Sequence, residues 1–273
     1  MLVAKGEGEG VRSMIESFLK SLVMFYNLQK MASAFDRLTQ TDSKWTVFNS
    51  ILDFALIPHQ YYPGGEELAA AHQRLVTWPD KEIIVEFLTA MADLQPEGFG
   101  DPLGEFYMMH LSNGRLGQYF TPENICEMMA QMNISAESKP GQTVLDPACG
   151  SGRTLLAAAK INRYLHFYGA DLDALCCKMA LYNMLLNSLT GEIAHMNSLS
   201  NEFFRGYRFG TKLIDGYHYP YFVEFTDPEE SRIWLRPPVK SADLLPPAIP
   251  HEDVQPAATS PAVSQSLVQG SLF

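Results

Sequence analysis

The chain has 273 residues, of which 47% are hydrophobic, enough for one sizeable core or for a core with a small helical domain. No apolar run approaches the roughly 20 residues of a membrane-spanning helix, and the N-terminus lacks the apolar segment of a signal peptide, so we expect a cytoplasmic protein. The net charge of −11 argues against a free-standing DNA-binding protein, because phosphate contacts require a basic surface.

Residues 1–100 have the apolar spacing of helices, and we predict a helical N-terminal domain there. Apolar side chains recur at intervals of three to four residues from Val11 to Leu38 and from Trp45 to Leu56. Two further helices are predicted at Glu66–Val76 and Lys81–Leu94, separated by prolines and glycines.

The second predicted domain, residues 101–235, begins with two short helices, Leu103–Leu111 and Glu123–Met132. The sequence Gly-Gln-Tyr-Phe-Thr-Pro lies between them. Thr121 is expected to cap the second helix, because its hydroxyl can accept a bond from a free amide of the first turn. Pro122 suits the first helical position.

A strand–helix–strand–helix–strand pattern follows. The predicted strands are Thr143–Leu145, His166–Ala170 and Glu192–Met196, and the helices between them are Arg153–Asn162 and Ala174–Leu189. Strands that alternate with helices predict an α/β fold with a parallel, Rossmann-like sheet and a ligand crevice at the carboxyl ends of the strands.

The sequence is less regular beyond the third strand. Short strands are predicted at Tyr221–Phe225 and Arg232–Leu235, and the prolines of residues 236–273 predict a disordered tail. The four cysteines are expected to be reduced thiols. Their spacing does not favour a metal site, so no metal ligands are assigned.

The sequence Asp-Pro-Ala-Cys-Gly-Ser-Gly, residues 146–152, joins the first strand to its helix. Glycines there allow the backbone to approach a ligand, and the helix N-terminus presents free amides. An acidic residue at the start of the loop, Asp146, suits a cationic ligand better than a pyrophosphate, and the spacing differs from the dinucleotide fingerprint. The alternative is a plain tight turn between strand and helix.

Polar residues also follow the second and third strands. Asp171 is placed to accept hydrogen bonds from both hydroxyls of a ribose, whereas Asp173 is expected to cap the next helix. Asn197 could pair with an adenine edge, since an amide both donates and accepts. The alternative for Asn197 is a turn residue after a strand.

The stretch from Asp101 to Ser200 resembles type I restriction-modification methylation subunits and related adenine-N6-specific DNA methyltransferases. The motifs Asp-Pro-Leu-Gly-Glu-Phe-Tyr, Gly-Gln-Tyr-Phe-Thr-Pro and Asp-Pro-Ala-Cys-Gly-Ser-Gly stand in the family's order. The resemblance implies a class I methyltransferase core, double-stranded DNA as substrate and S-adenosyl-L-methionine as cofactor. The cofactor-binding residues that it implies are Tyr119, Phe120, Thr121, Pro122, Asp146, Ala148, Gly150, Gly152, Asp171 and Asn197.

One departure from the family concerns catalysis. The family's motif, Asn/Asp-Pro-Pro-Tyr/Phe, is absent from residues 1–273, and the remaining strands are too few for a full substrate half, so the core is expected to be truncated. The nearest slot, which keeps a proline and aromatic side chains, is Tyr219, Pro220, Tyr221 and Phe222. Its alternative is an ordinary aromatic strand.

Two functions follow from this sequence. The first is adenine-N6 DNA methylation, directly or with a partner subunit, and the second is an inactive cofactor-binding protein that recruits partners. A methyltransferase for small molecules or proteins is disfavoured by the paired motifs. The last five residues resemble a sliding-clamp-binding peptide, in which Gln269 would hydrogen-bond and Leu272 and Phe273 would fill an apolar pocket. The alternative there is a frayed terminus.

Overall fold

The computed structural model describes residues 22–95, 98–112 and 119–236, which form one sheet with helices packed against it. The helices are residues 22–38 (α1), Lys44–Leu56 (α2), Gly65–Thr77 (α3), Lys81–Ala92 (α4), Pro102–His110 (α5), Glu123–Asn133 (α6), Arg153–Ile161 (α7) and Ala174–Leu186 (α8). The strands are Thr143–Asp146 (β1), His166–Asp171 (β2), Thr190–Asn197 (β3), Glu202–Ile214 (β4) and Tyr217–Phe225 (β5). Short 3₁₀ turns lie at Ile57–His59 and Pro228–Glu230.

The five strands lie side by side in chain order, β1-β2-β3-β4-β5. β1, β2 and β3 are parallel, as the alternation of strands and helices predicts. α7 and α8 contact each other and the parallel strands, so both crossover helices cover the same face of the sheet. The carboxyl ends of β1, β2 and β3 therefore lie side by side at the same end of the sheet, where an α/β sheet binds its ligand.

β4 and β5 lie outside the alternating pattern and are antiparallel. β4 was not predicted, although a two-residue Asp-Gly turn joins it to β5. Asp215 and Gly216 both have positive φ, 50° and 84°, as the tight turn of a twisted hairpin requires. The Asp-Gly pair was the signal that could have revealed this hairpin.

The second predicted late strand, Arg232–Leu235, is wrong, because these residues form bends and an irregular end. The Ser231 hydroxyl oxygen accepts hydrogen bonds from the amides of Ile233 and Trp234, which turns the chain instead of extending it. Ile233 and Trp234 pack against a small cluster of sheet side chains, Ala170, Ala194 and Met196. This segment thus covers part of the sheet face opposite α7 and α8.

The helices of the first hundred residues share a core with the sheet. Phe35, Phe48, Phe87 and Phe106 form a buried aromatic group with ring centroids 5.0–6.3 Å apart, in the same continuous cluster as Phe167 of β2. The described residues from 22 to Leu235 accordingly form one compact unit. In the described ranges no helix is both long and apolar enough to cross a membrane.

β1 lies at one edge of the sheet and has only four residues. Within the part of the chain that the structure describes, no strand pairs with its outer side, and Leu145 is 55% exposed. The opposite edge, β5, is partly covered, because the Tyr61 amide donates to the Phe222 carbonyl at 2.8 Å.

Candidate functional site

The glycine loop joins β1 to α7, as the sequence predicts. Gly150 and Gly152 have φ values of +54° and +84°, in the left-handed region that favours glycine. A Cβ on Gly150 would lie 2.9 Å from Cε1 of Phe120, so the backbone passes directly against this ring. Asp146 begins the turn by accepting a hydrogen bond from the Ala148 amide at 3.0 Å.

Asp171, at the end of β2, is bonded to this loop. One carboxylate oxygen accepts from the Gly150 amide at 2.8 Å, and the other accepts from the Asp173 amide at 2.9 Å. An ionised carboxylate offers about four acceptor positions, so two remain for a ligand. Burial raises the pKa of Asp171, and the neighbouring carboxylates of Asp173 and Asp146 raise it further, whereas the two amide bonds lower it.

The other polar residues at this edge have the following contacts. Asp173 caps α8 by accepting from the Leu175 amide at 2.8 Å, which confirms the predicted cap. The Asn197 side-chain oxygen accepts from the amides of Leu199 and Ser200, as the turn alternative requires. The Ser198 hydroxyl donates to the Pro147 carbonyl at 2.7 Å, a contact that ties the end of β3 to the loop after β1.

The Tyr119–Pro122 segment crosses beside the loop. Tyr119 is 77% exposed, and Phe120 stacks on Tyr107 of α5 with ring centroids 5.3 Å apart. The predicted Thr121 cap is wrong: α6 begins at Glu123, its N-cap is Pro122, and no side chain caps it. Pro122 is extended, with ψ of 145°, so Thr121 lies one residue too early to reach the free amides of the first turn.

The degenerate aromatic slot lies away from these residues. Tyr219, Pro220, Tyr221 and Phe222 belong to β5, where Phe222 pairs with Phe209 of β4. Phe209 in turn pairs with Gly191, at the start of β3. The slot is therefore at the end of the sheet opposite the carboxyl ends of β1 to β3. The structure agrees with the aromatic-strand alternative for these four residues.

Asp101 is a buried residue to which the sequence reasoning gave no role. Asp101 is only 7% exposed, and its carboxylate accepts four hydrogen bonds. The donors are the Gly104 amide (2.9 Å), Arg153 Nε (3.0 Å), Asn183 Nδ2 (2.8 Å) and the Ser151 hydroxyl. Burial raises the pKa of Asp101, opposed chiefly by the Arg153 guanidinium. The Asp-Pro pair at a helix start signals a cap, but the distant partners leave no local signal.

Taken together, the site is acidic and lined by backbone amides. Asp146, Asp171 and Asp173 lie at the carboxyl ends of β1 and β2, around the glycine loop. Carboxylates there suit a ligand that carries positive charge and hydroxyl groups. In the described ranges no three His, Cys, Asp or Glu side chains are grouped closely enough to hold a metal ion. The four cysteines are buried free thiols. The predicted peptide residues Gln269, Leu272 and Phe273 lie outside the described residues.

The central part of the chain is similar to known proteins. Residues 98–215 match the N-6 DNA methylase family. A stretch of 69 residues is 44% identical to the ribosomal protein L11 methyltransferase of Caldanaerobacter subterraneus subsp. tengcongensis, covering 25% of this chain and 21% of that protein. The chain thus spans about a fifth of the length of this curated relative.

Two solved structures are similar in part. One is described as a class I S-adenosylmethionine-dependent methyltransferase from Listeria monocytogenes, with a TM-score of 0.40 and 15% identity, over 62% of this chain and 52% of that chain. The other is a type I restriction-modification system methyltransferase subunit from Streptococcus thermophilus, with a TM-score of 0.27 and 18% identity, over 58% and 40% of the two chains.

Proposed function

We propose that this chain is the cofactor-binding part of an adenine-N6 DNA methyltransferase, because residues 98–215 match the N-6 DNA methylase family. S-adenosyl-L-methionine is the cofactor, and it supplies an electrophilic methyl group. The chain would act either directly on DNA or as one subunit of an assembly that does.

One observation supports this proposal most directly: the Asp171 carboxylate accepts a hydrogen bond from the Gly150 amide at the carboxyl ends of the parallel strands. The loop amides and an acidic side chain are thereby joined in one rigid unit, which fits a ligand with both a ribose and a cationic centre. We propose that Asp171 accepts from the ribose hydroxyls and that Asp146 attracts the positive charges of the methionine part.

The remaining proposed contacts complete the ligand's environment. Asn197 would meet the adenine of the cofactor through its amide nitrogen, since its oxygen is used by the turn. Phe120 would close the site over Gly150 and exclude water, with Tyr119 beside it. Ala148, Gly152, Thr121 and Pro122 would shape the backbone around the ligand. Such positioning accounts for much of the catalysis of a direct methyl transfer.

The substrate half is proposed to come from elsewhere. Residues 1–273 contain no Asn/Asp-Pro-Pro-aromatic sequence, and their charge of −11 is poorly suited to holding a phosphate backbone. A partner subunit with a basic surface would supply both the grip on DNA and the acceptors for the adenine amine. The same absence favours the second candidate, an inactive cofactor-binding protein that recruits partners. The sliding-clamp peptide remains a separate prediction.

A paired measurement tests the proposal. The purified chain is titrated with S-adenosylmethionine and S-adenosylhomocysteine by calorimetry, and unmethylated plasmid DNA is then incubated with labelled cofactor. Binding with N6-methyladenine in digested DNA supports the methyltransferase. Binding without methylation, also in the presence of any subunits that copurify with the chain, supports the recruiting protein. Absence of binding to both compounds contradicts the proposal.

A further inference from the structure

We infer that Asp101 is a positioning residue that holds the glycine loop and the Tyr119–Pro122 segment in register through Arg153. This inference rests on the proposed function, because it assigns cofactor affinity to a residue that would not touch the cofactor. The carboxylate joins parts of the chain that are far apart in sequence, with its partners in α5, the loop, α7 and α8.

The two oxygens of Asp101 have different partners. Oδ1 accepts from the Gly104 amide within α5 and from Asn183 of α8. Oδ2 accepts from the Ser151 hydroxyl and from Arg153 Nε, on either side of Gly152. One carboxylate thus fixes the last turn of the glycine loop against two helices. Because each donor has its own position, displacement of the carboxylate would release the loop at two points.

Arg153 connects Asp101 to the Tyr119–Pro122 segment. Its side chain is 9% exposed, and Nη1 donates to the Thr121 carbonyl at 3.1 Å. Nη2 lies 2.8 Å from the Glu105 carboxylate, with which it forms an ion pair. Since Thr121 follows Phe120, the planar guanidinium sets where the Phe120 ring meets Gly150.

The packing of α5 supports a specific geometry for this pair. A Cβ on Gly104 would lie 2.0 Å from Asp101 Oδ2 and 2.6 Å from Ser151 Oγ. The helix therefore approaches the Asp101–Ser151 contact so closely that even a methyl group would displace it. Loss of one partner of a buried ion pair also destabilises a fold, so the experiment has to separate cofactor affinity from thermal stability.

The experiment compares cofactor affinity and thermal stability in the full chain. Asp101→Asn and Arg153→Lys should each weaken S-adenosylmethionine binding by about tenfold or more, the scale of one lost bond to a charged group. The double variant should be little weaker than either single variant, because both changes break one unit. Glu192→Gln is the matched control: Glu192 is 1% exposed and bonded to Ser231, but it has no contact with the loop.

A spectroscopic readout makes the test independent of the ligand. In the free protein, the amide resonances of Gly150 and Phe120 should shift together in Asp101→Asn and stay unchanged in Glu192→Gln. If Asp101→Asn does not fold, Ser151→Ala and Gly104→Ala take its place with the same expectations.

The possible outcomes separate cleanly. Normal affinity in a folded Asp101→Asn chain overturns the inference, as does an equal affinity loss in Glu192→Gln at equal thermal destabilisation. Failure of the unmodified chain to bind the cofactor contradicts the proposed function instead. The joint shift of the Gly150 and Phe120 resonances would still decide whether Asp101 couples the two segments, and separate shifts would overturn the coupling.

Discussion

The carboxylate of Asp171 accepts a hydrogen bond from the Gly150 amide at 2.8 Å, so the end of β2 holds the middle of the loop that follows β1. The residue proposed to bind the ribose is thus also part of the loop's own structure. Asp171 would therefore contribute both to cofactor affinity and to the structure of the loop. Substitutions that keep one contribution and remove the other are needed to separate the two.

The first prediction concerns the pH dependence of cofactor binding. Burial and neighbouring carboxylates raise the pKa of Asp171, and only the ionised form accepts from both ribose hydroxyls. Affinity should be full above this raised pKa and should fall as the pH drops through it, beginning above the ordinary aspartate value of about 4. Calorimetry across pH measures this, and Asp171→Asn should be weaker and should lack this step. A step of equal size in Asp171→Asn would assign it to another carboxylate, such as Asp146 or Asp173.

The second prediction concerns Gly150. Gly150→Ala should weaken S-adenosylmethionine binding by at least about tenfold, because the new methyl meets the Phe120 ring at a positive φ. Gly65→Ala adds the same methyl in α3, where nothing lies within 4 Å, and should leave binding unchanged. Equal affinities for the two variants would show that the loop does not approach the ligand.

The third prediction concerns the aromatic slot of β5. Tyr219→Ala removes a half-exposed side chain at the end of the sheet opposite the glycine loop, so cofactor affinity should change by less than about twofold. Methyl transfer by any active assembly should also be retained. A loss of transfer with normal cofactor binding would return this strand to the catalytic site.

The fourth prediction concerns DNA. The purified chain should bind DNA weakly at physiological salt and should methylate it poorly, because its net charge is −11 and the catalytic tetrapeptide is absent. Gel-shift and labelled-methyl assays at several salt concentrations measure both. Robust turnover by the chain alone would show that other side chains accept the adenine amine.

Local chemistry accounts for what could be predicted from sequence. The glycine loop, the positions of Asp171 and Asp173 and the parallel strands follow from strand–turn–helix patterns that span few residues. The Asp101 group could not be predicted in this way, because its partners Ser151, Arg153 and Asn183 lie 50–82 residues away along the chain. The location of the aromatic slot could not be predicted for a similar reason: it depends on the register of β4 and β5, which no short pattern determines.

The edge position of β1 has a dynamic consequence for the site. Among the described residues, β1 pairs with β2 and with no other strand. A four-residue strand held by one neighbour opens at lower free-energy cost than a central strand, and Asp146 is the last residue of β1. The amides of β1 should therefore exchange with solvent deuterium sooner than those of β2 and β3. Cofactor bound at Asp146 and the glycine loop would favour the state in which β1 is paired with β2. The β1 amides should therefore exchange more slowly as cofactor is added.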